Sequence, residues 1–535
     1  MSNHLPPNPK NDVSLYDEAK DAKDPQGPDS FRNFRILGFL GFFLIVLIPY
    51  GYYHGFETLF FSLITLLEVV LLFNVLIIVH ELGHFLAAKW CGLRIDKFAI
   101  WFGKPLWSRT VDGVEYILGS VPAGGYVALP QMAPMEAIEG KSDTPREELP
   151  PASPWQKIIV AFAGPLFSFG LALFFATCVW AVGKPTNAME KTTTIGYAMP
   201  GGPAAKAGLQ TGDVIRSING HPVTRWAGVD NGVTWQIMTA TVSPLSIQIE
   251  RNGQLMTFEV TPEIDPTVSH HWWDRNAPFK IQIAAGDGAL IIDKTLPYGP
   301  AAAAGLKKGD RLMTLDGKPL LAYYAIYQHL KDNPFAPLNL TILRGTQTLP
   351  VVLQPEKPIS PKDIPKDEPQ TNPGFTLDDN VDVVMDHPTP WHQVHESFDM
   401  VRGTLAALFS HNSKVNASQL SGPVGIMNNL FIVLSSDNGW RVALWFAVVI
   451  NVNLAMLNLF PLPVLDGGHI ALSLIEWVRR RPLSMSILEP VQTACALALI
   501  GYMAFITFFD VQDSGKMAFG NDGGEIKFAP KQGAP

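Results

Sequence analysis

Four stretches of this chain are too long and too apolar for the core helices of an ordinary soluble domain: 59–79, 158–182, 442–460 and 491–509. About 20 apolar residues at a rise of 1.5 Å each cross a hydrocarbon core of roughly 30 Å, where every backbone polar group must be satisfied internally. The chain is therefore predicted to be a multi-span α-helical membrane protein. A fifth stretch, 36–53, is shorter and contains Pro49. Its long polar lead, ending in Arg32 and Arg35 with no small-x-small cleavage site after the apolar run, favours an extra N-terminal span over a signal peptide. At 535 residues the chain also has room for attached modules, and its net charge of −8 without a basic run excludes a nucleic-acid partner. The three cysteines, Cys91, Cys178 and Cys495, show no paired spacing and set neither a disulfide framework nor a cysteine metal site.

Positive charge near the span ends gives an orientation. Lys20, Lys23, Arg32 and Arg35 precede the first span, Lys89, Arg94, Lys97, Lys104 and Arg109 follow the second, and Arg479, Arg480 and Arg481 follow the fourth. Five spans put all three clusters in the cytoplasm and the large segment between the third and fourth spans outside. That segment repeats itself. GGPAAKAGLQTGDVIRSINGHPV, from Gly201, aligns without gaps on YGPAAAAGLKKGDRLMTLDGKPL, from Tyr298, at an offset of 97. Each copy reads as Pro opening a short Ala-rich helix, Gly closing it, a Gly-Asp turn, a strand and an Asn-Gly or Asp-Gly hairpin. The pattern resembles the PDZ domain in its circularly permuted bacterial form, which implies two small α+β domains with a groove for an added peptide strand. Ile215 and Leu312, just after each Gly-Asp, are the candidates to line those grooves; core positions are the alternative.

The chemistry begins at VHELGH, 79–84, directly after the apolar run 59–79. His80 and His84, four apart, share a helix face, and Glu81 lies beside them. Two imidazoles make half of a tetrahedral zinc site, and a neighbouring carboxylate can take a proton from water that the metal acidifies. Ionisable residues at membrane depth are costly and mark function. A third ligand is expected downstream in NVNLAMLNLFPLPVLDGGH, 451–469, where Pro461 and Pro463 must break the helix and leave Asp466 at the break. His469 is the alternative ligand.

The paired HELGH and NLFPLPVLDGG motifs, with two repeat copies between them, resemble the site-2 protease family of intramembrane zinc metalloproteases over about residues 66–510. The resemblance implies Zn2+ held by His80, His84 and Asp466, Glu81 as general base, and Asn458, assisted by Asn453, holding the substrate backbone. It also implies a bacterial inner membrane location. Membrane-anchored anti-sigma factors already trimmed by another protease are the implied substrates, with remnant signal peptides a further class. In WSRTVDGVEYILGSVPAGGYVAL, 107–129, alternation around Asp112-Gly113 and Gly124-Gly125 predicts hairpin strands, and the family counterpart is a re-entrant β element beside the active site. AGPLFS, 163–168, sets Gly164 and Ser168 four apart, a helix-packing spacing. SGPVGI, 421–426, matches a family loop of no derived role.

The expected organisation is a disordered cytoplasmic tail (1–33), an extra span (34–54), the HExxH span (58–90), a cytoplasmic or re-entrant β region (91–154), and a further span (155–183). Two PDZ-like domains (190–265 and 280–355) follow, then a Pro-rich linker (356–390), an amphipathic helix with the SGP loop (391–436), a span with the LDG motif (440–470), a last span (488–510) and a disordered tail (511–535). The rival reading is a non-catalytic PDZ scaffold in the membrane, which needs none of His80, Glu81, His84 and Asp466. A membrane-tethered zincin acting on soluble substrates is a second rival, and it would keep the motifs outside the apolar segments.

Overall fold

The computed structural model describes residues 52, 55–132, 149–228, 231–264, 279–286, 288–360, 364, 368–378, 383–410, 415–481, 483, 485–520 and 526–530. The expected tail 1–33 lies outside them, as does the extra span 34–54 apart from Tyr52. The chain divides into Met1–Leu67 and Glu68–Pro535. The first contributes the opening turns of α1 (Phe56–Trp90), where Phe60, Phe61, Leu66 and Leu67 are exposed, as suits a lipid-facing surface.

Among the described residues four helices have the length and composition to cross a membrane: α1, α2 (Pro154–Val182), the helix Gly439–Asn458, and Leu488–Ser514 within the longer helix Met485–Gly520. Ser153 starts α2 with a capping box to Gln156, satisfying orphan amides at that end. Between α1 and α2 lies a four-stranded sheet of β1 (Lys97–Phe102), β2 (Trp107–Val111), β3 (Val114–Leu118) and β4 (Val121–Ala128), in the order β2-β3-β1-β4. The β2–β3 hairpin turns at Asp112-Gly113, both at positive φ. Gly124-Gly125 does not form a second turn but lies inside β4. Gly124 has φ +93°, and the Phe102 ring fills the space its Cβ would occupy, so only glycine fits there. At a bulge in β1, Trp101 donates its indole N–H to Asn74, a buried residue in mid-α1.

The two sequence copies fold alike. Each holds a four-stranded sheet: Val214–Ile218, His221–Pro222, Leu245–Arg251 and Gln254–Val260 in the first, Arg311–Leu315, Lys318–Pro319, Leu338–Arg344 and Gln347–Leu353 in the second, with the same neighbour order. Asp213 and Asp310 of the Gly-Asp turns are almost wholly buried and accept paired bonds of 2.7 Å from Arg251 and Arg344. Each guanidinium also donates to the carbonyl of the helix-closing Gly208 or Gly305. That clamp explains the Gly-x-x-x-Gly-Asp spacing.

The repeat boundaries differ from the sequence expectation. Each unit is closed by a short antiparallel strand that arrives late in the chain: Ile283–Ala285 on Ile195–Ala198, and Phe375–Leu377 on Ile292–Thr295. The first unit therefore reaches residue 285, with Ile281 in its core, and the second takes in Phe375 from the supposed linker 356–390. Three-residue strands beside Gly and Pro carry too little alternation to be read from sequence. The rest of that linker is also used, since Val384–Asp386 pairs with Lys184–Thr186 and forms a two-strand stalk between α2 and the units.

After the units, α3 (Pro390–Phe409) lays Val394 and Gln393 against α2, the Gln393 amide donating to the Ala176 carbonyl. Helix α4 (Pro423–Leu434) begins in the SGPVGI loop. Its free N-terminal amides, Gly422 N and Gly425 N, donate at 3.0 and 2.8 Å to Asp510 Oδ2 from the last span. A Cβ on either glycine would meet that carboxylate within 3 Å. This gives the loop its role: it ties the last span to α4. Helix α5 (Gly439–Asn458) stops before Pro461, and the chain resumes as α6 (Asp466–Arg479). The last helix, α7 (Met485–Gly520), runs past residue 510, where a tail was expected. Falling hydropathy ends a span there, but nothing in 511–514 ends a helix, and Ser514 Oγ donates back to the Asp510 carbonyl.

Candidate metal centre

Helix α1 points His80 and His84 at one spot, and α6 opens with Asp466 facing it. The separations are 3.2 Å between the two Nε2 atoms, 3.3 Å from His80 Nε2 to Asp466 Oδ2 and 3.4 Å from His84 Nε2 to Asp466 Oδ1. A tetrahedron with corners about 2.0–2.1 Å from a central zinc has edges of about 3.3–3.4 Å, which is the spacing from His80 Nε2 to Asp466 Oδ2 and close to that between the two imidazoles, while Asp466 turns its other oxygen to His84. The three donors form the one group of this kind among the described residues. His84 Nδ1 donates to the Val160 carbonyl at 2.8 Å, an acceptor only, which leaves the Nε2 lone pair free. Ser168 Oγ, 3.0 Å from His80 Nδ1, supports the same tautomer there. Asp466 Oδ2 is buried with no hydrogen-bond partner. Two imidazole lone pairs with an orphaned carboxylate oxygen 3.3 Å from one of them are what a cation relieves.

Glycines bring the backbones close enough. A Cβ at Gly83 would stand 2.5 Å from the Ala163 carbonyl, so α1 and α2 touch at the motif. At Gly164 it would stand 2.2 Å from His84 Nε2 and 2.9 Å from His80 Cε1. At Gly467 and Gly468 it would strike the Leu459 and Leu462 carbonyls, so LDGG is what allows the chain to fold back between α5 and α6. The buried pair Lys157–Glu476, 2.7 Å, joins α2 to the far end of α6.

The cavity over these residues is about 200 Å³ and is lined by His80, Glu81, His84, Asn458, Asp466 and His469 among others. Glu81 lies against β4, its Cγ 3.3 Å from where a Gly125 Cβ would be. Because β4 pairs only with β1, its outer edge is unpaired by any other strand of the sheet. Asn458 Nδ2 stands 3.3 Å from His80 Nε2. The remaining expectations fare differently. His469 lines the cavity without joining the three-donor group. Asn453 is not among the lining residues; five positions before Asn458 is about 140° round the helix. Ile215 and Leu312 do not line grooves: at 0% and 2% exposure they face inward from their strands into the two unit cores. Sequence reasoning missed the roles of Gly164 and Ser168, whose spacing was visible but read as helix packing. It also missed Val160, which acts through its backbone and leaves no signal.

Residues 68–501 match Peptidase family M50. The chain belongs to this family. It is 31% identical over 468 residues to the regulator of sigma-E protease RseP of Escherichia coli, covering 83% of this chain and 98% of that protein. A putative zinc metalloprotease of Neisseria meningitidis is 29% identical over 458 residues, 83% of this chain and 98% of the relative. The protease RseP of Yersinia pestis is 29% identical over 467 residues, with the same two coverages. This M50 chain is accordingly a zinc metalloendopeptidase that works within the membrane, as a multi-pass protein of the inner membrane.

Proposed function

We propose that the M50 chain cuts a peptide bond within or at the edge of a substrate's transmembrane helix, with His80, His84 and Asp466 holding zinc and Glu81 handling the proton. The observation that carries this assignment is the convergence of three donor side chains, their ligand atoms within 4.8 Å of one another, beside Glu81 in a helix of membrane-spanning composition. Zinc supplies the Lewis acidity for attack on a carbonyl. Glu81 takes the proton of the attacking water and returns it to the leaving amine, a role that fits its place on the cavity wall. Asn458 has its amide on the same wall to hold a substrate carbonyl. An unwound substrate pairs as a strand with the open edge of β4, which passes Glu81; the Trp101–Asn74 bond, seven residues earlier on α1, supports reading this sheet as re-entering the membrane.

The two repeat units read as PDZ-like domains held outside the cytoplasm on their stalk, where they filter or bind what approaches α2 and α3. Two candidate spans separate the second unit from segment 526–530, and that segment packs on the unit, which supports an even number of crossings between them. The substrate class in this reading is a membrane-anchored anti-sigma factor shortened by a prior cut, which suits a chain similar to a regulator of sigma-E protease, with remnant signal peptides second. The test uses the full chain in detergent, with bound zinc measured and a single-span helical substrate supplied. Glu81→Gln should keep zinc and lose cleavage by about 10²–10⁴-fold. Equal cleavage by both proteins, or activity without zinc, overturns the assignment.

A further inference from the structure

Among the described residues, the second repeat unit holds something the first does not. Residues 526–530, near the chain's end, lie on it: Ile359 N donates to the Lys527 carbonyl at 2.8 Å and Lys527 N donates to Ser360 O at 3.1 Å. Phe528 is 5% exposed, and its ring comes within 3.1 Å of the place a Gly299 Cβ would take. Ile526 helps line a cavity of about 320 Å³ with Tyr323, Tyr327 and Leu330.

The first unit is an internal control. Gly202 corresponds to Gly299, and the residue just before the closing strand, Gln282 in the first unit, corresponds to Gly374 in the second. Both of those residues have positive φ, 58° and 76°. In the first unit the Gln282 side chain fills the space over Gly202. In the second, Gly374 has no side chain to offer, and the Phe528 ring from the chain's end fills the matching space over Gly299. Among the described residues the first unit completes the same fold and core without any such segment, and Phe528 is not part of the second unit's core cluster, so the second core forms without 526–530. The segment is held by one backbone bridge and its own side chains, as a bound peptide is.

We propose that the second unit carries a binding site for a short extended peptide bearing an apolar residue and an aromatic residue two positions later, and that Ile526-Lys527-Phe528 is its resident, exchangeable occupant. A tethered occupant has an effective concentration of about 1 mM. A free peptide with a dissociation constant of about 100 µM would then bind the intact chain roughly tenfold more weakly than a chain lacking the segment. The experiment titrates a fluorescent EIKFAPK peptide into three full-chain preparations in detergent: wild type, a truncation after residue 520, and Phe528→Ala. Cleavage of a single-span substrate serves as the folding check. Both variants should bind the peptide at least tenfold more tightly than wild type, and a peptide with Ala for Phe should bind neither. Equal affinity for wild type and the variants, or no binding by an active truncation and an active Phe528→Ala protein, overturns the proposal.

Discussion

Replacing Gly164 with alanine adds one methyl group to a membrane helix, ordinarily a mild and even helix-favouring change. Here the added carbon would stand 2.2 Å from His84 Nε2, against an ordinary carbon–nitrogen contact of about 3.5 Å. Helix α2 or the imidazole must give by more than about 1 Å. The helix is held by the Gly83–Ala163 backbone approach, so the ring is the part that yields, and its movement breaks the bond to Val160 and the spacing to Asp466. A misplacement of about 1 Å at a reacting centre costs on the order of 10²-fold in rate. Gly164→Ala should therefore lose at least that much cleavage of a single-span substrate, with zinc bound more weakly, while the repeat units keep their hydrogen-exchange protection. Gly170→Ala in the same helix, where nothing lies within 4 Å of the new carbon, should match wild type in both measures. A Gly164→Ala protein with wild-type zinc content and rate would refute the close approach of α2 to the ligands.

Three further outcomes follow from other contacts. Ser168→Ala removes the partner of His80 Nδ1 and should weaken zinc binding about 10–100-fold in a chelator competition, in line with other residues that orient metal ligands. The Arg344 guanidinium beside Asp310 holds that carboxyl below its usual range. Its stabilisation is complete above the ordinary value of about 3.9 and is lost as pH falls through the depressed one. Hydrogen exchange in the second unit should consequently rise more steeply below about pH 4 in wild type than in Arg344→Met. Asp510→Ala leaves the Gly422 and Gly425 amides buried without their acceptor, at a cost of about 1–3 kcal/mol. Thermal unfolding in detergent should show the loss, and Asp510→Asn, which keeps one acceptor oxygen, should recover part of it.

The parts of this molecule legible in sequence are those whose physics is local. A run of apolar residues has one use at span length, HExxH puts its imidazoles on one face through helix geometry alone, and the closely paired Pro461 and Pro463 end a helix where the single Pro165 and Pro490 do not. The illegible parts depend on what sits opposite. Alternation shows that Ile215 and Leu312 share faces with their neighbours but not that those faces are covered, and covered faces made them core. Gly164 and Ser168 have the spacing of any close helix pair; only the partner's identity turns packing into support for a metal ligand. The closing strands 283–285 and 375–377 are set by a partner some 80 to 90 residues earlier in the chain, and Phe528 fills a space that exists because residue 374 is glycine.

The break after α5 shows why so conspicuous an interruption belongs in a membrane segment. Asn458 Nδ2 and Asp466 Oδ2 both stand 3.3 Å from the same atom, His80 Nε2. In an unbroken helix, residues eight apart are separated by about 12 Å along the axis, so one of the two would be lost to the site. Pro461 and Pro463 end the helix, and the glycines at 467 and 468 let the returning chain press against the Leu459 and Leu462 carbonyls. Asp466 is thereby drawn back to the level of Asn458. Neither motif has a site alone: α1 supplies two donors that face each other at 3.2 Å with no acceptable charge between them, and α6 supplies the carboxylate that makes a cation there favourable.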